Sequence, residues 1–270
     1  MNQMAFVVNA KYKHALEMAF QQSPTLENEL SLYYQPKVTL KTGETVGYEA
    51  LIRWFQPDFG HVAPDRILEI AAFYGLTDKL NIWVVENACT ALKESPDLNI
   101  AINLCPQAIT KEFALLIFES LLGAGISPSR IQIEITEQNK PHDILKLAHT
   151  VSWLRRQGIT VALDDFGTGH ATMEYLAKVD LDLVKIDKSY IQGIETDRAK
   201  RVTLMTVIDL IRTCDIQVLC EGVENEAQAK ILKEMGVDYG QGYYFGKPVS
   251  MDDLASTATP QSAKVLSIKR

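Results

Sequence analysis

The sequence predicts an α/β fold, namely a (β/α)8 TIM-type barrel with an antiparallel first strand. Strand-like and helical segments alternate along most of the 270 residues, which is typical of parallel βα units. Eight strand-like segments can be counted, and eight strands close a barrel of this type. Only a short turn at 41–44 separates the first two segments, and strands joined so tightly must run antiparallel.

The predicted strands and helices follow one another in regular order. The hairpin strands are 30–38 and 45–54, and the other strands are 98–104, 130–136, 160–165, 181–186, 217–221 and about 241–245. The helical segments are 64–74, 78–94, 107–123, 142–157, 170–178, 197–213 and 225–235. Several helices end in a glycine suited to a left-handed cap, namely Gly75, Gly123, Gly158 and Gly236.

A single barrel accounts for most of the chain. Apolar residues at helical spacing, among them Tyr12 and Leu16, predict a lead-in helix within 1–30 that is interrupted at Ser23-Pro24. The barrel itself is expected over 31–254. The segment 255–270 is poor in apolar residues, so it is expected to be a flexible tail.

The composition is that of a soluble globular protein with a sizeable core, because 47% of residues are apolar and 23% are charged. A net charge of −7 argues against binding to nucleic-acid polymers, which requires a basic surface. No stretch approaches the ~20 apolar residues of a membrane span, and the N-terminus lacks the pattern of a signal peptide. The four cysteines lack metal-ligand spacing and are expected to be reduced, which predicts a cytoplasmic protein.

Polar residues occupy one face of the five strands that follow the hairpin, close to their carboxyl ends. Side chains alternate between the two faces of a strand, and the aliphatic face is expected to pack against the helices. The polar face should then point to the barrel axis. Five side chains are expected to converge at the carboxyl-terminal mouth, where such barrels keep their active sites: Asn103, Glu134, Asp164, Lys185 and Glu221.

The oxygen donors in this group indicate a site for hard cations. Three carboxylates and the Asn103 amide, without histidine or cysteine, suit Mg²⁺ or Mn²⁺. Asp165 follows Asp164 directly, so the ligands suffice for two ions that share one carboxylate. The alternative is an acidic surface turn at Asp164-Asp165, and the shared face of the other strands argues against it.

The second hairpin strand adds an acid and a base on one face. Glu49 and Arg53 are four residues apart, which is roughly 13 Å along a strand. Glu49 is therefore expected to help hold a metal ion, while Arg53 reaches an anionic group farther out. The neighbours Tyr48, Ala50 and Trp54 argue against a pair that merely lies on the surface.

Short motifs occur in a fixed order along the chain. They are Tyr34-Gln35-Pro36, Glu49-Ala50-Leu51 followed by Arg53, Asn103-Leu104, Glu134-Ile135-Thr136-Glu137, Asp164-Asp165-Phe166-Gly167-Thr168-Gly169, Lys185-Ile186-Asp187, Glu221-Gly222-Val223-Glu224 and Gln241-Gly242-Tyr243. The ordered set resembles the EAL-domain cyclic-di-GMP phosphodiesterases over roughly residues 15–253. The three-letter Glu-Ala-Leu motif alone is not specific, whereas the ordered set is.

The resemblance implies a cofactor of two divalent metal ions and a role for each site residue. The first ion would be held by Glu49, Asn103, Glu134 and Asp164. The second would be held by Asp164, Asp165 and Glu221. The catalytic residues would be Glu49, Lys185 and Glu221, with Lys185 contacting the attacking water and Glu221 a candidate for its base.

The resemblance also implies how the substrate and a loop are held. Gln35 and Arg53 would engage the nucleotide, and Gln241 would assist near the metals. Glu137 would steady the loop that begins at Asp165.

The activity implied is metal-dependent hydrolysis of cyclic-di-GMP to linear pGpG by a cytoplasmic enzyme, either stand-alone or part of a longer protein. Two ions about 3.5–4 Å apart can activate a shared water and neutralise phosphoryl charge. The family resemblance also implies a homodimer. His170-Ala171-Thr172 departs from the usual family pattern beside the segment that often takes part in dimerisation.

Two other functions compete with this interpretation. A catalytically silent cyclic-di-GMP receptor or protein-docking module would typically lack a metal ligand or the loop 167–169, and here all of them are present. An enolising metal-dependent barrel enzyme would need a base opposite the metals. It would have no use for Gln35 and Arg53 in a distal pocket.

Overall fold

The computed structural model describes residues 3–20, 29–58, 60–136, 143–167 and 172–257. Within these residues nine strands form one sheet. They are β1 (Leu30–Thr39), β2 (Thr45–Gln56), β3 (Gly60–Val62), β4 (Ile100–Leu104), β5 (Ile131–Thr136), β6 (Thr160–Phe166), β7 (Leu183–Ile186), β8 (Gln217–Cys220) and β9 (Tyr239–Gln241).

Eight of these strands close into a barrel, and β3 extends β2 as a short antiparallel addition at its end. The sheet runs β1-β9-β8-β7-β6-β5-β4-β2, and β1 pairs with β2 to complete the circle. The strands β2 and β4 to β9 pair in parallel, whereas β1 is antiparallel to both of its neighbours. The predicted barrel with an antiparallel first strand is confirmed.

The described helices are α1 (Gln3–Ala19), α2 (Pro64–Phe73), α3 (Thr77–Glu94), α4 (Lys111–Gly123), α5 (Ile144–Arg156), α6 (Thr172–Lys178), α7 (Arg198–Thr213), α8 (Glu226–Glu234) and α9 (Met251–Thr257). Side chains cap the first turns of α4, α5, α7 and α8, where they accept backbone N–H groups; they are Thr110, Asp143, Asp197 and Asn225. None of the helices described is long and apolar enough to cross a membrane.

The barrel strands separate an apolar outer layer from a polar interior. Ile102, Ile133 and Val161 are fully buried against the helices, as the alternation predicts. The interior contains a small apolar group of Ala162, Leu183 and Leu219. The other buried interior side chains are mostly polar or charged, and this group includes Gln35, Lys37, Glu49, Glu134, Asp164, Lys185 and Gln241. The polar face of the strands therefore points inward.

Three local predictions were wrong or incomplete. The last strand is Tyr239–Gln241 rather than 241–245, because the N–H groups of Phe245 and Gly246 both donate to the Gly242 carbonyl and form a turn there. Helix α4 continues through Gly123, and Gly125 takes the left-handed conformation instead. The strand β3 and the helix α9 were not predicted.

The helix α9 occupies part of the predicted flexible tail. It starts after Ser250, whose hydroxyl accepts the N–H of Asp253, and it extends to Thr257. Residues 258–270 of the predicted tail lie outside the described residues.

Candidate metal centre at the barrel mouth

The register of the sheet brings the predicted site residues to one end of the barrel. Asn103 on β4 lies beside Glu134 on β5, and Thr136 on β5 lies beside Asp164 on β6. Glu49 on β2 lies beside Ala101 on β4. Ala101 precedes Asn103 by two residues, so both are on the inward face of β4. This places the three acids and the amide within reach of one another.

The Lys185 ammonium lies at the point where the carboxylates converge. Its Nζ atom is 2.6 Å from Glu134 Oε2, 3.1 Å from Glu49 Oε2, 3.0 Å from Asp164 Oδ1 and 2.8 Å from Glu221 Oε1. Lys185 and Glu134 are completely buried. The Lys185 charge balances only part of the charge of these four carboxylates in a region with little water, so the cluster is electrostatically incomplete by itself.

Two carboxyl groups of the cluster have pKa values shifted in opposite directions. Burial opposes ionisation of Glu49, but the Lys185 ammonium and hydrogen bonds from Gln241 and Asn103 outweigh it and lower its pKa to about 2. Burial raises the pKa of Asp164 well above its usual range, and Glu221 and Glu134 add to the increase. The four carboxylates raise the pKa of Lys185 despite its burial, so Lys185 carries its charge.

Two overlapping groups of carboxylates could each hold a metal ion. Ligand atoms of Glu49, Glu134 and Asp164 lie within 4.8 Å of one another, and so do those of Asp164, Asp165 and Glu221. Asp164 belongs to both groups. Acidic clusters often occur without ions, so a further observation is needed to test the fit.

The Asn103 side chain supplies that observation. Its Nδ2 atom donates to Glu49 Oε1 at 2.5 Å. Its Oδ1 atom is buried and has no hydrogen-bond partner among the described residues. A buried carbonyl oxygen without a partner costs about 1–3 kcal/mol, and a hard cation beside the carboxylates would satisfy it. The residues present thus fit a divalent ion.

The backbone at Asp165 turns its side chain toward Glu221. Asp165 has φ of +55°, a left-handed conformation that is uncommon for residues other than glycine, and its N–H donates to Asp164 Oδ1 at 2.9 Å. The pairing of β6 with β7 shifts register between Leu163 and Phe166. The bulge places two consecutive aspartates on one site, whereas a regular strand would point them to opposite faces.

The predicted substrate residues extend from the acids to the rim. Gln241 Nε2 donates to Glu49 Oε2 at 2.7 Å and to Gln35 Oε1 at 3.1 Å, and Gln35 Nε2 donates to the Gly246 carbonyl at 3.2 Å. The guanidinium of Arg53 lies 5.8 Å from the centre of the Tyr33 ring. Arg53 and Tyr33 line a cavity of about 960 Å³ together with Tyr243 and Lys247.

A match with a family model supports the interpretation of this site. A model described as EAL domain matches residues 16–248, which is most of the chain. The chain belongs to the EAL domain family. The resemblance inferred from the ordered motifs is confirmed.

Relatives of this EAL domain include longer bacterial proteins. PdeB of Escherichia coli, a probable cyclic di-GMP phosphodiesterase, is 33% identical over 234 residues, which are 84% of this chain and 44% of PdeB. An uncharacterized signaling protein of Caulobacter vibrioides is 36% identical over 236 residues, covering 86% of this chain and 29% of that protein. The EAL domain described here therefore spans less than half the length of these two relatives.

A solved structure shares the fold of this EAL domain. The PaMucR phosphodiesterase, solved as a c-di-GMP complex, superposes with a TM-score of 0.81 and is 30% identical. The similarity covers 90% of this chain and 99% of that chain.

One charged residue of the EAL barrel interior was not predicted from the sequence, and one predicted site residue lies outside the described residues. The Lys37 Nζ atom is 2.9 Å from Glu134 Oε1, and Lys37 shares the inward face of β1 with Gln35, which was the signal that could have revealed it. Glu137 was predicted to steady the loop after Asp165. It lies outside the described residues, as do residues 168–171 of that loop.

The pKa of Glu221 predicts how pH affects the metal-free EAL domain. Burial raises this pKa from 4.5 to about 7, with the Glu49 and Glu134 charges adding to the increase and Lys185 opposing it. In the folded state Glu221 therefore keeps its proton up to a higher pH than in the unfolded chain. Its ionisation destabilises the folded state, so its contribution to the free energy of unfolding declines as pH rises from 4.5 to about 7.

The chelated protein is therefore expected to unfold at a lower temperature at about pH 8 than at about pH 6, with about 1 kcal/mol of the difference arising from Glu221. Mn²⁺ should raise the unfolding temperature more at the higher pH, because metal ligands must be deprotonated. Thermal unfolding at both pH values, with and without Mn²⁺, measures both effects. Equal stabilisation by Mn²⁺ at the two pH values would contradict this account.

Proposed function

We propose that this chain is a metal-dependent phosphodiesterase that hydrolyses one phosphodiester bond of cyclic-di-GMP to give linear pGpG. The observation that carries the proposal is the pair of carboxylate groups that share Asp164, with an Asn103 oxygen beside them that has no hydrogen-bond partner in the part of the chain that the structure describes. Oxygen donors of this kind favour Mg²⁺ or Mn²⁺. The similarity to PdeB, a probable cyclic di-GMP phosphodiesterase, and to the PaMucR phosphodiesterase in its c-di-GMP complex supports the choice of substrate.

We propose a site for two ions. Glu49, Asn103, Glu134 and Asp164 would hold the first ion, and Asp164, Asp165 and Glu221 would hold the second. Bound divalent ions would lower the pKa of a shared water and neutralise charge on the phosphoryl oxygens. Without them, the acids of the mouth would repel a dinucleotide with two phosphates.

Lys185 is proposed to contact the attacking water, and Glu221 is proposed to accept its proton. The Lys185 ammonium lies 2.8 Å from Glu221 Oε1, so a water beside this pair could contact both groups. In the metal-free site, burial raises the pKa of Glu221 to about 7, so this carboxyl changes its protonation near neutral pH. Glu49 anchors the assembly, because it accepts hydrogen bonds from Lys185, Gln241 and Asn103.

Gln35, Gln241 and Arg53 are proposed to hold the nucleotide. Gln241 has a buried Oε1 atom without a hydrogen-bond partner among the described residues, so it can accept a hydrogen bond at the site. Arg53 lies in the rim cavity, where a planar cation can pair with a phosphate or stack on a base. This separation would let one end of the ligand contact Arg53 while the other end approaches the ions held by the acids.

Three further properties belong to the same proposal. A homodimer would use the segment 168–171 together with the contacting helices α5 and α6, on which Leu145 and Met173 expose apolar side chains. A cytoplasmic location is supported by four cysteines with free thiols. The barrel over 31–254 would form the catalytic domain, with the segment 1–30 as a lead-in helix.

Incubation of the purified chain with cyclic-di-GMP tests the proposal against a silent receptor. In Mg²⁺ or Mn²⁺ the substrate should be converted to pGpG, as measured by chromatography of the nucleotides. In Ca²⁺, binding without turnover is expected. Tight binding without turnover in all three ions would instead favour a receptor, and no binding at all would reject cyclic-di-GMP as the ligand.

A further inference from the structure

Lys37 is a buried charged residue to which the proposed mechanism gives no role. It lies on β1 with its side chain 8% exposed, and it crosses the barrel interior to β5. Its Nζ atom donates to Glu134 Oε1 at 2.9 Å and to Gln132 Oε1 at 2.5 Å. A buried lysine needs such partners, because an unpaired ammonium in a dry interior is costly.

Lys37 reaches Glu134 from the side opposite to the barrel mouth. It lines a cavity of about 220 Å³ with Gly47, Thr160 and Gln217, which lie at the amino-terminal ends of the strands. The two carboxylate oxygens of Glu134 therefore have different partners. Oε1 accepts from Lys37, while Oε2 faces Lys185 at 2.6 Å, among the other carboxylates.

We propose that Lys37 is a positioning residue that restricts Glu134 to one ligand oxygen and thereby favours Mg²⁺ or Mn²⁺ over Ca²⁺ at the first ion site. Mg²⁺ demands near-octahedral geometry, whereas Ca²⁺ takes about six to eight oxygens and accepts carboxylates that bind through both oxygens. Because Oε1 is already bonded to Lys37, binding of Ca²⁺ through both oxygens of Glu134 would weaken or displace that ion pair. The inference rests on the proposed function, because it concerns the same site.

The Lys37 charge lowers the affinity of the site for Ca²⁺ and for Mn²⁺ alike, so the expected preference comes from the engaged oxygen of Glu134. Ca²⁺ affinity rises with the number of ligand charges, and Lys37 offsets one of the three negative charges of Glu49, Glu134 and Asp164. Gln132 fixes the direction of this ammonium, since it is two residues before Glu134 on the same face of β5 and accepts from the same Nζ atom. An ion pair that served only folding would change stability without changing the preference between two ions.

Calorimetric titration of the chelated full chain with Ca²⁺ and with Mn²⁺ tests the inference through the ratio of the two dissociation constants. Lys37→Met should shift this ratio about tenfold toward Ca²⁺, because two-oxygen binding by Glu134 becomes available. Gln132→Leu leaves both charges in place and should shift it about threefold in the same direction, which matters if Lys37→Met folds poorly. Lys233→Met, a surface control that also removes one positive charge, should leave the ratio unchanged.

Infrared spectra provide a readout that is independent of affinity. In Ca²⁺-loaded Lys37→Met, the separation between the antisymmetric and symmetric carboxylate stretches should narrow relative to the parent chain, which is the signature of binding through both oxygens. A ratio within about twofold of the parent in both variants would overturn the inference while leaving the proposed function intact. If the parent chain binds neither ion, the metal site itself is wrong and the proposed function fails with it.

Discussion

Asp164→Asn is expected to lower kcat for cyclic-di-GMP by about a thousandfold or more, which corresponds to on the order of 4 kcal/mol in the barrier. Asp164 is the residue shared by both carboxylate groups, so its loss should disturb both ions at once. The amide keeps the size of the side chain but removes its charge. Initial rates of pGpG formation at saturating substrate, with Mn²⁺ in excess, measure the effect.

Asp182→Asn is the matched control for this substitution. Asp182 directly precedes β7 and pairs with Arg155 at the other end of the barrel, where it also accepts the N–H of Val161. The control should lose some stability but keep kcat within about twofold. Mn²⁺ titration should show fewer bound ions in Asp164→Asn alone. An Asp164→Asn variant with full ion stoichiometry and a normal rate would refute the bridging role.

Lys185→Met is expected to destabilise the chelated protein by about 3–5 kcal/mol at about pH 8. The substitution removes the one ammonium that contacts all four carboxylates, and their mutual repulsion then remains in a buried site. Mn²⁺ should restore more stability to the variant than to the parent chain, because added cations replace the missing charge. Urea unfolding with and without Mn²⁺ measures both quantities.

Lys178→Met is the control for a salt bridge on the surface. Lys178 pairs with Glu174 at 2.8 Å, but both side chains are well exposed, so its removal should cost no more than about 0.5 kcal/mol. Acid should also reduce the penalty of Lys185→Met, because protonated carboxylates no longer repel. The account of the site is wrong if the chelated Lys185→Met variant unfolds at the same urea concentration as the parent chain.

The fold was predictable because the alternation of apolar and polar residues fixes which face of each strand points inward, and because the short hairpin turn fixes the direction of the first strand. The isoleucines at 131, 133 and 135 define the outer face of β5, and Glu134 must then point inward. On the neighbouring strands the same alternation points the other polar side chains inward, namely Asn103, Asp164, Lys185 and Glu221. Convergence at the mouth follows from the parallel arrangement of these strands.

Other features depend on contacts between distant residues, which a local pattern does not contain. The interaction of Lys37 with Glu134 spans 97 positions in the chain and requires the barrel to close before the two side chains meet. The left-handed backbone of Asp165 arises at a bulge that alternation cannot anticipate. The end of β9 was misplaced because Tyr243 and Phe245 have high strand propensity, yet hydrogen bonds to the Gly242 carbonyl turn the chain.

Turnover of cyclic-di-GMP in Mn²⁺ by the parent chain beside Glu49→Ala tests the central claim most directly. Glu49 is buried and bonded to Asn103, Lys185 and Gln241, so its removal should dismantle the first ion site. The account predicts pGpG formation by the parent chain and none above background by the variant. Intact cyclic-di-GMP after long incubation with the parent chain, or equal rates in the two proteins, would contradict it.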